Sequence, residues 1–154
     1  MGNKGNMILT TGVDIVEVPR VERAVTRWGE RFCRRVYTPA EVAFCRGRLG
    51  ELAVRFAAKE AVSKALGTGI VGPQGVGWRD IEILPDRWGK PLVYLHGRAK
   101  TRAAELGLTD FALSLSHERA YAVAFVVATG QDGAASPEDL EAWYATITAW
   151  LLKK

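Results

Sequence analysis

The chain has 154 residues, 48% of them apolar and 25% charged, and a formal net charge of +4 at pH 7. This balance predicts one soluble globular domain, and no apolar run approaches the roughly 20 residues that cross a bilayer. Two cysteines, Cys33 and Cys45, are too few for a disulfide framework and predict a reducing, cytoplasmic location. Residues 1–6 are polar, lack the apolar segment of a signal peptide and are expected to form a flexible leader.

The first predicted elements are a strand and two helices. Loosely alternating β-branched residues predict a strand from Met7 to Val16. Pro19 suits a first helical turn, and the helix that it opens ends at Gly29. Thr38-Pro-Ala-Glu41 is a capping box, which predicts a second helix to about Arg48.

The middle of the chain predicts one long helix, a loop and two short strands. Glu51 to Leu66 carries an apolar stripe, and Gly67 supplies the stop signal of this helix. A glycine-rich loop follows. Ile81–Leu84 and Pro91–Leu95 are then predicted as strands, joined by the turn-forming residues 86–90.

The last third predicts a helix, a strand pair and a final helix. The first helix runs from about Arg98 to Leu106 and ends at Gly107. Two later runs alternate apolar residues: Phe111, Leu113 and Leu115, then Tyr121, Val123, Phe125 and Val127. This alternation predicts a hairpin with one buried apolar face. Residues 129–136 are the predicted linker, and residues 137–154 are the predicted final helix. Helices and strands follow each other in a mixed order, which favours an α+β fold with a mainly antiparallel sheet. The single domain is expected at residues 7–128.

Three charged residues stand where packing alone would not require them. Asp14 lies in an apolar strand, while Glu60 and Lys64 lie one turn apart on the long helix. Two carboxylates and a lysine suit a magnesium–phosphate site, because hard cations take oxygen ligands and lysine neutralises phosphate. Simpler interpretations remain open. Glu60 and Lys64 can form a helix salt bridge of about 0.2–0.5 kcal/mol, and Asp14 can cap a turn.

The strand that ends at His117 carries further candidates. Ser114 and Ser116 share one face, which meets solvent, a ligand or another subunit. His117 is either a surface turn residue or, beside a phosphate, a cationic donor. Gly67-Thr-Gly69 does not match a P-loop, because the required lysine is absent and helix C-termini repel anions.

An arginine-rich segment near the first helix makes the charge uneven. Arg20, Arg23 and Arg27 have helical spacing and form either a solvated face or a docking surface for nucleic acid, a membrane or an acidic protein. The tryptophans are scattered, which gives little support to a nucleic-acid stacking platform. Asp14 and Glu60 would also repel a phosphate groove in the absence of a metal.

Four motifs occur in order and point to a known family. They are Gly12-Val-Asp14-Ile, Arg55-Phe-Ala-Ala-Lys-Glu60-Ala-Val-Ser-Lys64-Ala, Gly89-Lys-Pro91 and Leu113-Ser-Leu-Ser-His117. This set, within about Met7 to Ala128, resembles the holo-acyl-carrier-protein synthases, the small bacterial 4′-phosphopantetheinyl transferases. The resemblance implies that coenzyme A donates its phosphopantetheine arm to a serine of apo-acyl carrier protein, releasing adenosine 3′,5′-bisphosphate.

The resemblance also implies roles for single residues. Asp14 and Glu60 are the implied Mg²⁺ ligands. Lys64 stabilises charge or assists proton transfer, with a metal-bound water as the other candidate base. The implied coenzyme A-binding residues are Arg55, Lys64, Gly67, Gly89, Lys90, Pro91, Ser116 and His117.

Partners and assembly follow from the same resemblance. Arg20 is implied in docking the acidic acyl carrier protein, and Arg23 and Arg27 extend that surface by helical spacing. Small family members are homotrimers with sites between subunits, and neither nucleic acid nor a membrane is an expected partner. Compact members end near the last strand, so the tail from Gly130 departs from the pattern. Its apolar stripe is expected to pack on its own or a neighbouring subunit.

Overall fold

The computed structural model describes residues 5–131 and 138–153. In chain order they form β1 (Met7–Glu17), α1 (Val18–Trp28), α2 (Glu30–Val36), α3 (Pro39–Cys45), α4 (Leu49–Ala65), a 3₁₀ turn (Trp78–Asp80), β2 (Ile81–Pro85), β3 (Pro91–Leu95), α5 (Gly97–Leu106), β4 (Leu108–His117), β5 (Tyr121–Gln131) and α6 (Glu138–Leu152). An antiparallel sheet has the order β1-β5-β4, and β2-β3 form a separate antiparallel hairpin. The predicted α+β fold is therefore confirmed. None of the helices within the described residues has the length and apolarity needed to cross a membrane.

Helix α4 is the central element, and its alanines allow neighbouring backbones to approach it closely. Eleven of its 17 residues are buried, five of them alanines. At Gly12, β1 lies so near that a Cβ atom would be 1.8 Å from the carbonyl oxygen of Ala61. The Thr10 hydroxyl also donates to the Ala65 carbonyl oxygen at 2.7 Å. These contacts fix β1 along α4, and they set the position of Asp14 two residues further on.

This close packing reverses the predicted face of β5. The residues of β5 that lie in the core are Ala122, Ala124, Val126 and Ala128. The larger residues that the alternation predicts to be buried lie on the other side, and Phe125 is 44% exposed. Small side chains fit beneath the closely packed α4, so the large ones point away from it. The prediction holds for β4, where Leu113 is buried and Phe111 and Leu115 pack against the core.

Two helix boundaries differ from the prediction for local reasons. Helix α2 was not predicted from the sequence, because Gly29 both ends α1 and directly precedes α2. Its φ of +52° is accessible to glycine but costly for other residues. The next helix, α3, ends at Cys45 rather than near Arg48, because Arg46 adopts a left-handed conformation with a φ of +49°.

The boundaries at the end of the domain also shift. β5 continues to Gln131, which pairs with Met7, so the first three residues of the predicted 129–136 linker belong to a strand. This correction follows from the length of β1, which extends the ladder beyond the apolar run of β5. The rest of the predicted linker and residues 1–4 of the predicted leader lie outside the described residues.

A second core joins α6 to the rest of the same chain. It consists of Ala40, Leu84, Tyr94, Ile147 and Leu151, with Trp143 and Tyr144 packed against them. Of the two expected positions for the tail, α6 therefore takes the one on its own subunit, over α3 and the β2-β3 hairpin.

Candidate functional site

The acidic part of the candidate site lies where β1 passes α4. The Lys64 ammonium donates to Asp14 Oδ1 at 3.1 Å and to the Val13 carbonyl oxygen at 2.9 Å. The Lys64 side chain is 53% exposed and that of Asp14 is 19% exposed. Asp14 pairs with Ala124 in the middle of β1, so it does not cap a turn. Within residues 5–131, Lys64 forms its ion pair with Asp14 rather than with Glu60, which makes the simple helix salt bridge wrong.

Glu60 faces the same group of charges. Partial burial raises the pKa of the Glu60 carboxyl, and repulsion by Asp14 raises it further, while Lys64 and Arg20 pull it down. The structure therefore brings together two carboxylates that repel each other, beside two cations. A divalent cation between the carboxylates would relieve that repulsion.

The donor set fits a magnesium ion better than a metal held by protein alone. Among the described residues, no three His, Cys, Asp or Glu side chains cluster to hold a metal. Mg²⁺ typically uses one or two carboxylates and takes its remaining ligands from water and substrate phosphates. Asp14 and Glu60 match that pattern.

His117 lies at the opposite end of α4. A Cβ atom on Gly50, in the first turn of the helix, would be 2.6 Å from the His117 imidazole. Gly50 and Glu60 are ten residues apart, which corresponds to about 15 Å along the helix axis. Strand β2 runs toward the same end of α4, because the carbonyl oxygens of Ile81 and Ile83 accept from Lys59 and Arg55 in turn. We call Asp14, Glu60 and Lys64 the acidic half-site, and His117 with residues 86–91 the basic half-site.

The turn between β2 and β3 presents Lys90 to solvent. Asp86 builds this turn, since its Oδ1 accepts the backbone N–H groups of Trp88 at 2.8 Å and Lys90 at 2.9 Å. Gly89 has a φ of +89°, a conformation that a side chain would strain. Asp86 is a supporting residue that the sequence analysis treated only as a turn former. Its role depends on hydrogen bonds that composition cannot reveal.

Arg55 does not lie where a ligand-binding arginine is expected. The residue is 2% exposed, and its guanidinium donates to Glu51 Oε2 at 2.5 Å and to the Ile83 carbonyl oxygen at 3.1 Å. It also lies 4.3 Å from the centre of the Phe44 ring. Arg55 therefore ties β2 to α4 inside the chain, and the expected direct contact with coenzyme A has no support from its position.

Gly67 and Ser116 are both accessible but lie apart from each other. Gly67 follows α4 and lines a cavity of about 670 Å³ with Thr68, Arg98 and Arg102. Ser116 is exposed on β4, opposite Val123 of β5. Because side chains alternate along a strand, Ser116 and His117 point to opposite faces of the sheet.

A second charged cluster, which the sequence analysis missed, is fully buried. Lys59 donates to Glu41 Oε2 at 2.8 Å and to the carbonyl oxygens of Ile81 at 2.5 Å and Trp78 at 3.1 Å. Burial lowers the pKa of Lys59, while Glu41 acts in the opposite direction. The capping box of Thr38 and Glu41 forms as predicted. Its glutamate also binds the lysine, so we interpret Lys59 as structural.

Helix α1 presents a basic surface that begins beside the acidic half-site. Arg20 is exposed and close enough to lower the pKa of Glu60. Arg23 and Arg27 are also exposed and line a surface cavity of about 640 Å³. The Arg27 guanidinium lies 4.9 Å from the centre of the exposed Trp28 ring. This surface suits an acidic partner with some apolar side chains.

Comparisons with known proteins agree on one family. Residues 10–126 match the model of the 4′-phosphopantetheinyl transferase superfamily. A holo-acyl-carrier-protein synthase of Herpetosiphon aurantiacus is 51% identical over 127 residues, which are 80% of this chain and 100% of that protein. Another from Halorhodospira halophila is 52% identical over 124 residues, or 79% of this chain and 97% of the relative. The crystal structure of the Helicobacter pylori enzyme in complex with coenzyme A is 33% identical, with a TM-score of 0.69, and covers 77% of this chain and 98% of that one.

Proposed function

This chain belongs to the 4′-phosphopantetheinyl transferase superfamily, as an enzyme of the holo-acyl-carrier-protein synthase kind, and we propose that it uses coenzyme A and Mg²⁺ to modify an apo-acyl carrier protein. The family predicted from four motifs is thereby confirmed. One observation carries the rest of the proposal: Asp14 and Glu60, two mutually repelling carboxylates, lie beside Lys64 at an accessible surface. This combination suits a bound cation and a pyrophosphate.

Asp14 and Glu60 are the residues that would hold the magnesium ion. When bound, the ion supplies positive charge to the coenzyme A pyrophosphate and orients its phosphorus atom for in-line displacement. Burial and Asp14 raise the pKa of Glu60, so the ionised carboxyl is disfavoured in the chain alone. A nearby dication would favour the ionised carboxyl, which supports this assignment.

In the proposed reaction, the hydroxyl oxygen of a carrier serine attacks the β-phosphorus of coenzyme A. The bond from that phosphorus to the bridging oxygen breaks, and adenosine 3′,5′-bisphosphate leaves with the bonding electrons. The serine proton passes to water or to the new terminal phosphate oxygen of the leaving group. Lys64 has three N–H donors, of which two bind Asp14 and Val13. The third remains for a phosphate oxygen, so we assign Lys64 to charge stabilisation rather than to the role of base.

Two observations support a homotrimer with sites between subunits. The end of α4 that His117 contacts lies about 15 Å from Glu60 along the helix axis, too far for one compact pyrophosphate group. The outer face of the β1-β5-β4 sheet is also apolar and open, with Val13 54% and Ile15 65% exposed. Large exposed apolar patches mark interaction sites in soluble proteins. A neighbouring copy would cover this face and place its His117 and Lys90 near the first copy's Lys64.

The basic surface of α1 is the proposed docking surface for the carrier. Arg20, Arg23 and Arg27 are exposed on it, and Arg20 lies close enough to the acidic half-site to act on Glu60. An acidic carrier bound there would present its serine near Lys64. Such charges act mainly on association rate and salt sensitivity.

We place this reaction in the cytoplasm. Both cysteines are free thiols, Cys45 buried and Cys33 partly exposed, which suits a reducing compartment. The reaction needs neither a membrane nor nucleic acid.

The direct test of the reaction is the intact mass of an apo-acyl carrier protein after incubation with this protein, coenzyme A and Mg²⁺. We expect the carrier to gain one phosphopantetheine group, and a chelator to prevent the gain. No gain with several carriers, although the enzyme is folded and binds coenzyme A, would contradict the proposed reaction.

The test of the shared site is complementation between two inactive variants, Lys64→Ala and His117→Ala. Co-expressed in equal amounts, the variants should assemble randomly. About one quarter of the sites should then combine an intact acidic half-site with an intact basic half-site from the neighbour. Recovery of about one quarter of wild-type turnover is the expected result. No recovery from a mixed assembly would place both half-sites in one copy.

A further inference from the structure

The β2-β3 hairpin carries the basic half-site turn, and its two faces are covered by different elements. Ile83 and Val93 pair across the hairpin and face the main core around α4. Leu84 is buried on the opposite face in the second core, and its partner Leu92 packs against that core. A two-stranded hairpin is marginally stable alone and needs cover on its apolar faces. The stability of the turn therefore depends on both layers.

Helix α6 supplies the cover on the second face. Ile147 and Leu151 are buried against Leu84 and Tyr94. The family match ends at residue 126, so α6 lies outside the segment that this chain shares with the family model. The chain thus adds a helix directly to the element that presents Lys90.

Ring contacts beside a buried carboxylate fix how α6 lies on the hairpin. The Glu82 carboxylate is 1% exposed, binds His96 Nε2 at 3.0 Å and accepts a hydrogen bond from the Thr38 hydroxyl. The Tyr144 ring of α6 lies 5.1 Å from the His96 ring and 5.0 Å from the Tyr94 ring, measured between ring centres. Its hydroxyl also acts to lower the pKa of Glu82. Aromatic contacts have preferred geometries, so the two ring contacts set the register of α6 and not merely its attachment.

We infer that α6 is a positioning element for the basic half-site: Tyr144, Ile147 and Leu151 hold the hairpin so that the 86–90 turn keeps Lys90 in place for a phosphate group of coenzyme A. The Leu84–Leu92 pair under α6 is followed directly by Pro85–Pro91, which closes the turn. A shift of α6 is therefore transmitted to the turn through one residue pair. This inference rests on the proposed function for the identity of the ligand, but the mechanical coupling does not.

The test compares Ile147→Ala with Thr146→Ala in the full-length protein. Thr146 is the adjacent residue, is exposed and bonds only within its own helix, so it is the matched control. In Ile147→Ala, hydrogen exchange of the 86–90 turn amides should quicken about tenfold, while the exchange of β1 stays unchanged. KM for coenzyme A should rise about fivefold, with kcat and the KM for the carrier within about twofold of wild type. The control should change neither quantity.

Tyr144→Phe keeps the ring and removes only the hydroxyl, so it serves where Ile147→Ala folds poorly. It should give the same pattern at about half the size, because the apolar cover remains. Unchanged exchange of the turn in both variants would overturn the positioning role. So would a fall in kcat together with a rise in the carrier's KM as large as the rise in the KM for coenzyme A, since the effect would then not be confined to coenzyme A binding. Exchange requires no turnover, so a failure of the proposed reaction would be seen separately in the wild-type enzyme.

Discussion

Two lysines five residues apart on α4 have opposite environments. Lys59 is completely buried and bonded to Glu41 and two carbonyl oxygens. Lys64 is half exposed and shares its surroundings with two carboxylates, one of which has a raised pKa. Five residues place the side chains about 140° apart around the helix, so one faces the hairpin and the other faces the edge beside β1. The candidate site is therefore marked by Lys64, which lies beside two mutually repelling carboxylates, and not by Lys59, whose charge is buried and fully paired.

The buried lysine should matter most for stability. Lys59→Ala leaves the Glu41 carboxylate buried without its cation, and breaking such a pair typically costs about 3–5 kcal/mol. We expect the free energy of unfolding, measured in urea, to fall by this amount. An unfolding midpoint equal to that of wild type would mean that Lys59 is not structural and would remove one side of the comparison.

The half-exposed Lys64 should matter for turnover and contribute little to stability. Lys64→Ala removes the proposed donor to the reacting phosphate, and loss of one such donor typically lowers kcat about 100-fold. An exposed ion pair contributes at most about 1 kcal/mol, so the unfolding curve should stay close to wild type. The rate of carrier modification and the urea curve check both expectations. A variant that loses stability but keeps its rate would reverse the comparison.

Glu82, the buried carboxylate under α6, is expected to make stability depend on pH. Burial acts to raise the pKa of Glu82, but hydrogen bonds from His96 and Thr38 outweigh it and hold the pKa below its usual value of 4.5. Ionised Glu82 therefore stabilises the fold above pH 4.5, and this contribution is lost as pH falls below that value.

We expect Glu82→Gln to be about 2 kcal/mol less stable than wild type at pH 7, with the difference shrinking below pH 4.5. Melting temperatures of both proteins between pH 7 and pH 3 measure this. A difference that stays constant over the whole range would show that Glu82 gains nothing from ionisation.

The exposed basic surface of α1 is expected to matter for binding of the carrier protein. Arg20→Glu should raise the KM for an acidic carrier about tenfold and leave the KM for coenzyme A within about twofold. Arg79→Glu makes the same charge change at an exposed residue outside α1 and is the control. Steady-state kinetics at low and high salt separate the two, and equal effects on both substrates would count against the docking surface.

Local signals in the sequence predicted much of the fold and part of the site. The capping box of Thr38 and Glu41 could be anticipated, because one short motif specifies it. The Asp14–Lys64 ion pair could not, since its partners are 50 residues apart and the simple interpretation of the sequence paired Lys64 with Glu60. The outward face of β5 could not, since it depends on the close approach of Gly12 to Ala61, residues far apart in sequence. For the same reason, the run of residues 59–64 does not reveal which of its two lysines is buried.

Glu60→Gln tests the central claim most directly, because it keeps the shape of the acidic half-site and removes one charge. The melting temperature and the Mg²⁺-dependent rate of carrier modification should be measured together on this variant and on wild type. The raised pKa of Glu60 means that its charge opposes folding, so the variant should melt at or slightly above the wild-type temperature. Its rate should fall at least about 100-fold. A folded variant with wild-type turnover would contradict the assignment of Glu60 to the magnesium site.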